Sequence, residues 1–563
     1  MKRRQFSRLI TLASGVAISP STFNLGLRSG INKYEALTPH AAAIVAGGGM
    51  GGCAAALALL RNGYSVIMTE ETDWIGGQLS SQGVPPDEHQ WIETKGAPQS
   101  YRDFRSAIRN YYKNHYPLTD EARRRPQLNP GDGAVSRLCH EPMVAVAVLL
   151  ELLAPYLSNG RLQLLLNHKV RQAATTGDRI SAITVQNLIS GDLIDLTGEY
   201  YIDATELGDL LPLSGTEFVT GAEGVGQTGE LHASKTNDPE NVQAFTVCFA
   251  MDYVKDAQLV IDKPEKYDFW KNHIPPLTPP WSGHLLDLKY SDPKTLKPKE
   301  LGFHPEGIST GEKLNLWVYR RIINKTNFSA GFYQGDITVV NWPQNDYMLG
   351  NLIGDEDQFI QHFEAGKELS LSLFYWLQTE APRPDGGTGW PGLRLRGDIM
   401  GTVDGMAKYP YVRESRRIKA LFTVKEEHVG AENRLLVSGE KTAAVFPDSV
   451  GIGYYHIDLH PSSGGDNYID FASLPFQIPL GSLLPQRMLN LIPANKNIGT
   501  THITNGCYRL HPVEWSIGEA AGLLIAYALL KKTSPHSIYS QPEKIDDLQQ
   551  FIRSQGVETE WDL

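Results

Sequence analysis

Residues 41–46 (AAAIVA) and 64–69 (YSVIMT) are short apolar runs, the pattern of strands buried in a parallel sheet. Between them, residues 50–61 are rich in Ala and Leu and stop at Asn62-Gly63, which predicts a helix with a defined end. Residues 143–154 predict a second apolar helix that Pro155 should end, and residues 100–116 read as irregular helix. Residues 161–170 and 179–187 alternate and predict strands, with Gly177-Asp178 as a turn. Residues 200–203 form a further strand that enters the small-residue turn Ala204-Thr205. From about residue 215 to 400 the texture changes: proline pairs (Pro275-Pro276, Pro279-Pro280), Trp and Tyr replace Gly and Ala, with strands expected at 242–251 and 314–323. The C-terminal part predicts a short strand at 489–493, a polar loop at 500–512 and a helix at 514–530.

The turn between the first strand and the first helix carries chemistry. Gly47-Gly48-Gly49-Met50-Gly51-Gly52 contains G-x-G-x-x-G between a strand and a helix, the context a dinucleotide fingerprint requires. Gly47 permits the tight turn, Gly49 lets the backbone approach a pyrophosphate, and Gly52 lets the helix lie close to the sheet; Gly51 belongs to the same cradle. The helix N-terminus then faces the phosphates with its unpaired N–H groups and dipole. Glu70, at the end of the second strand, is placed to accept hydrogen bonds from a ribose diol.

Composition narrows the class. The chain has 563 residues, 41% of them hydrophobic, and can bury a large core. Its net charge of −11 argues against a general nucleic-acid or anionic-membrane binder. Cys53, Cys139, Cys248 and Cys507 lie far apart and form no C-x-x-C pair, so neither a zinc site nor a disulfide framework is expected. At the N-terminus Arg3-Arg4 precedes Phe6 and an apolar run, residues 9–19, too short to span a bilayer. This has the form of a twin-arginine export signal, which implies transient contact with that export machinery and a periplasmic or otherwise exported location.

Several further groups are candidates for function. Cys139 and His140 precede an apolar helix and are placed to approach a cofactor, although a buried Cys more often packs. Residues 336–346 (DITVVNWPQND) form either a pocket wall or a turn cluster. Arg413, Arg416 and Arg417 are able to bind an anion bidentately or to form an ion-paired face. His456, Asp458 and His460 share one face of a strand and are metal-ligand types, but without a second such cluster no metal site is expected. In the polar loop, His502 and His511 titrate near neutrality and are candidates to move a proton; Arg509 is suited to an anionic substrate group or a cofactor oxygen. Tyr508 and Asn505 are lesser candidates, and Glu514 is a helix cap or a site residue. Gly518 to Gly522, including Ala521, let a helix backbone approach a ligand.

Trp74-Ile75-Gly76-Gly77-Gln78 resembles the second glycine pair of flavoproteins, and Ala204-Thr205-Glu206 resembles their A-T-G turn, with Glu206 where glycine is usual. The motifs VSRLC-x-EP at Val135, ATELGDLLPLSG at Ala204, YPYVRESRRI at Tyr409 and THITNGCYRLHPVEW at Thr501 make the chain similar to FAD-dependent oxidoreductases of glutathione-reductase type, in a group some of whose members are labelled xanthan lyases. The resemblance implies an α/β fold: a glutathione-reductase-type FAD-binding Rossmann domain with an inserted α+β substrate domain. The expected layout is a signal and linker (1–38), a first FAD-binding part (39–214), the insert (215–400), and a return that completes the FAD-binding domain (401–563). It also implies FAD contacts from Gly77, Gln78, Val170 and Thr205, with Gly518 and Ala521 under the flavin ring. The expected activity is hydride transfer from a small organic substrate to flavin N5. One dinucleotide fingerprint favours oxygen or another non-nicotinamide acceptor. The alternative is a polysaccharide lyase-type eliminase with structural or non-redox FAD.

Overall fold

Strand β1 (His40–Ala46) lies between β2 (Val66–Glu70) and β6 (Leu193–Asp203), parallel to both, and Val45 stands opposite Met68 and Ile202. Those three side chains join the apolar cluster beneath helix α1 (Met50–Arg61), while their neighbours Ile44, Ile67 and Tyr201 join another cluster on the opposite face. Both faces are buried, which is why these strands read as apolar runs without alternation. The computed structural model describes residues 38–307 and 310–562; Pro39–Leu563 forms one compact unit. Arg3-Arg4 and the apolar run behind them lie outside the described residues.

Helix α2 (Gln99–His115) is regular from end to end and packs against α3 (Pro142–Ser158). Strand β3 (Leu162–Leu166) adds in parallel beyond β2. Strands β4 (His168–Thr176) and β5 (Arg179–Asn187) form an antiparallel meander with the first residues of β6. The second half of β6 pairs in parallel with β1 on one edge and with β7 (Leu491–Pro493) on the other. The core is therefore a five-stranded parallel sheet, ordered β3-β2-β1-β6-β7, that shares β6 with the meander.

Helix α4 (His502–Tyr508) and helix α5 (His511–Lys531) follow β7. Glycine sets the contact between α5 and α1. A Cβ at Gly518 would lie 2.1 Å from the Gly51 carbonyl oxygen, one at Gly522 would lie 2.4 Å from that of Ala55, and one at Gly51 would lie 1.7 Å from that of Ala494. Gly518 and Gly522 thus sit in mid-helix and serve helix packing, instead of the ligand-facing helix start that the sequence suggests.

Between these segments, residues 215–400 contain a four-stranded antiparallel sheet ordered Arg321–Ile323, Ile337–Val340, Phe249–Tyr253, Leu393–Leu395. Phe249, Met251 and Val340 pack with Leu369, Leu373 and Phe374 of the long helix Glu356–Thr379. Ala250, Ile337 and Val339 point the other way and belong to the apolar cluster that contains α1.

Four local expectations change. Pro155 lies inside α3, on an exposed turn where water can satisfy the carbonyl of Glu151 that lacks a donor. Residues 314–323 form a short helix, Leu316–Tyr319, before the strand, because the Asn315 side chain accepts from the Trp317 N–H and caps it. Residues 242–251 break into two strands, Phe245–Thr246 and Phe249–Tyr253. The polar loop at 500–512 is α4 and the first turn of α5: Thr501 and Thr504 make a reciprocal cap, and Pro512 occupies a first-turn position where its missing N–H costs nothing.

Gly518→Ala should destabilise the protein by about 1–3 kcal/mol through overpacking. Gly226→Ala, where a Cβ would meet nothing within 4 Å, should be neutral. Urea unfolding of the two variants compares them, and equal midpoints would contradict the close helix contact.

Candidate active site

Two cavities lie along one continuous run of polar residues. The first opens at the β1–α1 turn and is lined by Gly47, Gly49, Glu70, Gly77, Val170 and Thr205, with Glu206 and Lys169 among the others. Gly47 has φ +99°, and a Cβ there would lie 2.2 Å from the Ala204 carbonyl oxygen, so the turn and the end of β6 touch. A Cβ at Gly52 would lie 2.1 Å from the Gly47 oxygen, which brings the helix start onto its own loop. By contrast a Cβ at Gly49 would closely approach one side-chain atom, Oε1 of Glu206 (2.9 Å), and one at Gly77 would meet the same oxygen at 2.8 Å and the Gly49 Cα at 3.0 Å. These two glycines leave a hollow at the N-terminus of α1. Gly48 donates its N–H to Glu70 (2.9 Å), and burial pushes the Glu70 carboxyl up to about 7 despite that bond and the ones from Thr72.

The hollow continues toward the first turn of α5. The Gln78 side-chain amide donates to the Arg509 main-chain carbonyl (3.0 Å) and to the Glu514 carboxylate. Lys496, fully buried, pairs with Glu206 (2.6 Å) and stands 4.0 Å from Glu514. Burial pushes the Glu514 carboxyl up to about 7, against the pull of Lys496. Oε1 of Gln78, Glu206 and Glu514 and Oδ1 of Asn505 are buried acceptors without a partner. Unpaired buried acceptors require donors, and the N3–H and ribityl hydroxyls of a flavin are donors of that kind.

The second cavity, about 180 Å³, lies beyond Arg509. Its wall carries Arg320, Arg413 and Arg509, three aspartates (Asp87, Asp458 and Asp470), two histidines and an aromatic set that includes Trp342, Tyr411 and Tyr468. Arg509 donates to the Tyr411 hydroxyl (3.0 Å) and to the Asp458 carbonyl and carboxylate (2.9 and 3.0 Å). His460 bonds Asp346 (2.6 Å) and stands 3.7 Å from Asp458; Arg413 pairs with the same Asp346 (3.0 Å). A chain of contacts therefore runs from Arg413 through Asp346, His460 and Asp458 to Arg509. His456 pairs through Nδ1 with Asp470 (2.8 Å). Burial opposes its protonation, but the bond and the charges of Asp458 and Asp470 raise its pKa overall.

Of the residues proposed for proton chemistry, Arg509 is in this wall. His511 touches it from behind: the Asp87 N–H donates to His511 Nδ1 (3.1 Å), so Nε2 carries the proton, buried and unpartnered. His502 is not in the wall; it bonds Glu414 (2.9 Å), which also pairs with Arg417. Burial disfavours the His502 charge, yet Glu414 outweighs it and raises the pKa. Asn505 donates to the Arg413 carbonyl (2.9 Å), and Tyr508 to that of Gln477 (2.7 Å). Cys139 and His140 are buried; burial pushes the thiol up to about 12 and the imidazole down to about 4. Residues 336–346 divide, with Asn341 and Trp342 in the wall and Asp336 bound to Arg321 (2.8 Å). Of the arginine trio, Arg413 faces the cavity, while Arg416 and Arg417 pair with Asp209 and Glu223. His456, Asp458 and His460 share one face as expected and line the cavity, but among the described residues no group of metal-ligating side chains is arranged to hold an ion.

Lys496, Asp87 and Arg320 were not legible as site residues, since none belongs to a chemical motif. His456 and His460 carried a signal, two imidazoles alternating with a carboxylate, that fits proton handling as well as metal binding.

The sequence model of the family described as FAD dependent oxidoreductase matches residues 43–552, and the chain belongs to that family. Its cofactor is FAD. A curated relative, the FAD-dependent monooxygenase ntnJ of a Nectria species, is 35% identical over 65 residues, which are 12% of this chain and 16% of that protein. Among solved structures, the chain is similar to a geranylgeranyl bacteriochlorophyll reductase-like protein from Thermoplasma acidophilum at 11% identity, over 92% of this chain and 85% of the other, with a TM-score of 0.32. It is also similar to the glycerol-3-phosphate dehydrogenase from Bacillus halodurans complexed with FAD, at 11% identity over 38% and 40%, with a TM-score of 0.23.

Burial lowers the His511 pKa to about 4, against 6.5 for an exposed imidazole. As pH falls from about 6.5 to about 4, the unfolded chain binds a proton that the folded protein refuses, so this group lowers stability on acidification. The stability difference between the protein and His511→Gln should therefore narrow between pH 7 and pH 4.5 in urea unfolding. A constant difference would mean the folded imidazole is not held neutral.

Proposed function

We propose that this protein oxidises a small organic substrate by hydride transfer to N5 of FAD, the electrons then passing to oxygen or another non-nicotinamide acceptor. The observation that carries the reading is Arg509, which belongs to both halves of the site. Its carbonyl is tied to Gln78 beside the glycine cradle, and its guanidinium forms part of the second cavity's wall. A substrate there meets fixed cations, aromatic faces and two imidazoles. The five parallel strands and the meander that shares β6 support a glutathione-reductase-type placement of FAD: diphosphate at Gly47–Gly52, ribose at Glu70, flavin toward Gln78 and Glu514.

Bound FAD supplies the two-electron acceptor. The protein's own part is to hold the substrate, exclude water and take one proton. Arg413 and Arg509 orient an anionic group; His456, whose Nδ1 is fixed by Asp470, has Nε2 available for a proton. The single fingerprint at Gly47–Gly52 supports an acceptor other than a nicotinamide, and the Arg3-Arg4 segment supports export by the twin-arginine route.

The visible spectrum of the FAD-loaded protein, recorded without oxygen before and after adding pooled hydroxy acids, amino acids, amines and sugars, tests the reading. The flavin bands should bleach with one pool. Bands that persist through every pool would remove the oxidoreductive role assigned to the second cavity.

A further inference from the structure

Resting on that reading, we propose that the substrate is a small hydroxy carboxylate whose carboxylate is taken by Arg413 and Arg509 and whose hydroxyl proton is taken by His456. The argument begins with the cavity's charges. Asp87 faces Arg320, Asp346 faces Arg413 and His460, Asp458 faces Arg509, and Asp470 faces His456. Every carboxylate in the wall already has a protein cation. The wall sets the guanidiniums of Arg320, Arg413 and Arg509 against the carboxylates of Asp87, Asp458 and Asp470, and Asp346 is engaged by Arg413 and His460, so none of these acids is left to hold a cationic ligand.

Hydrogen bonding points the same way. The unpartnered buried polar atoms of wall residues are Nε of Arg413, Nε of Arg509, Nδ2 of Asn341, Nε1 of Trp342 and the Tyr468 hydroxyl. Four of these only donate, and the fifth is able to. Apart from the Tyr468 hydroxyl, which can also accept, none of these unpartnered wall atoms is an acceptor. Such a wall has spare donors for a ligand rich in acceptor oxygens and no idle carboxylate for an ammonium, which disfavours amines and amino acids. The space is about 180 Å³, and its aromatic lining suits a compact carbon skeleton.

The oxidation balances as follows. The substrate hydroxyl O–H breaks and its proton passes to Nε2 of His456, in the fraction of protein where that imidazole is neutral. The adjacent C–H bond breaks and its electron pair passes with the hydrogen to FAD, leaving a C=O beside the carboxylate. The product is an oxo acid, and Asp470 stabilises the imidazolium through Nδ1. Because His456 must first lose its proton, the rate should rise with pH through its raised pKa.

The test uses the full-length FAD-loaded protein. Binding is read from the perturbation of the flavin spectrum by benzoate and benzamide; oxidation is read from anaerobic bleaching by lactate, mandelate and gluconate, with alanine, phenylethylamine and benzyl alcohol as comparisons. Benzoate should bind at least tenfold more tightly than benzamide, and at least one hydroxy acid should bleach the flavin while the comparisons do not. Tyr468→Phe, a change of one hydroxyl, should weaken benzoate several-fold, and Arg413→Lys by tenfold or more. His456→Gln should keep benzoate affinity but slow bleaching at least a hundredfold and abolish its rise with pH. Equal binding of benzoate and benzamide, or bleaching by amines or neutral alcohols alone, would overturn the substrate class and leave the oxidoreductase reading standing. Tight benzoate binding with no bleaching by any hydroxy acid would overturn the oxidation and leave the acid-binding site.

Discussion

The approach of two helices separated by most of the chain sets the geometry on which the site depends. Helix α1 begins at the glycine turn, and helix α5 begins beside Arg509. They meet where Gly51, Gly518 and Gly522 bring main chain against main chain. A side chain at Gly518 or Gly522 would force the helices apart, one at Gly51 would push α1 off the Ala494 carbonyl just past β7, and either change would separate the cradle at Gly49 and Gly77 from the acids and lysine that face it. Gly51 in the first turn of α1 meets Gly518 in the third turn of α5, so α5 starts beyond the beginning of α1 and brings Glu514 beside the hollow at the glycine turn.

That hollow is unusual in its electrostatics. Glu70 and Glu514 are buried and Glu206 half-buried around the glycine turn, with Lys496 as the cation beside Glu206 and Glu514. Isolated charges would be prohibitively costly there; burial raises the Glu70 and Glu514 carboxyls, and Lys496 is held between Glu206 and Glu514. The second cavity follows a different rule. Its acids are matched with arginine or histidine, so Asp458 is held at about 2 although burial opposes its charge. Arg509 separates the two regimes.

The nucleotide half was legible in the sequence because each part is local. A buried strand, a glycine turn, a helix and a terminal acid fall within residues 40–70, and the physics of each is written in adjacent residues. The second cavity was not legible as a unit. Its wall draws on Asp87, Arg320, Asn341, Arg413, His456 and Arg509, which only the fold brings together. His502 stood out as a titratable residue in a polar stretch, yet the turn of α4 places it against Glu414, away from the cavity. Gly518 and Ala521 illustrate a different ambiguity: small residues on a helix permit close approach, but sequence does not reveal whether the neighbour is a ligand or another helix.

The pairing of β6 with β7 has a consequence for biosynthesis. One edge of β6 is complete soon after Asp203 is made, because β1 precedes it, but its other edge waits for Leu491. At about 5–20 residues per second, a ribosome needs roughly 15–60 s to cover that interval. During it the emerging chain presents an unsatisfied strand margin and the glycine-lined flank of α1, surfaces that a chaperone would need to shield until the carboxyl-terminal segment leaves the exit tunnel.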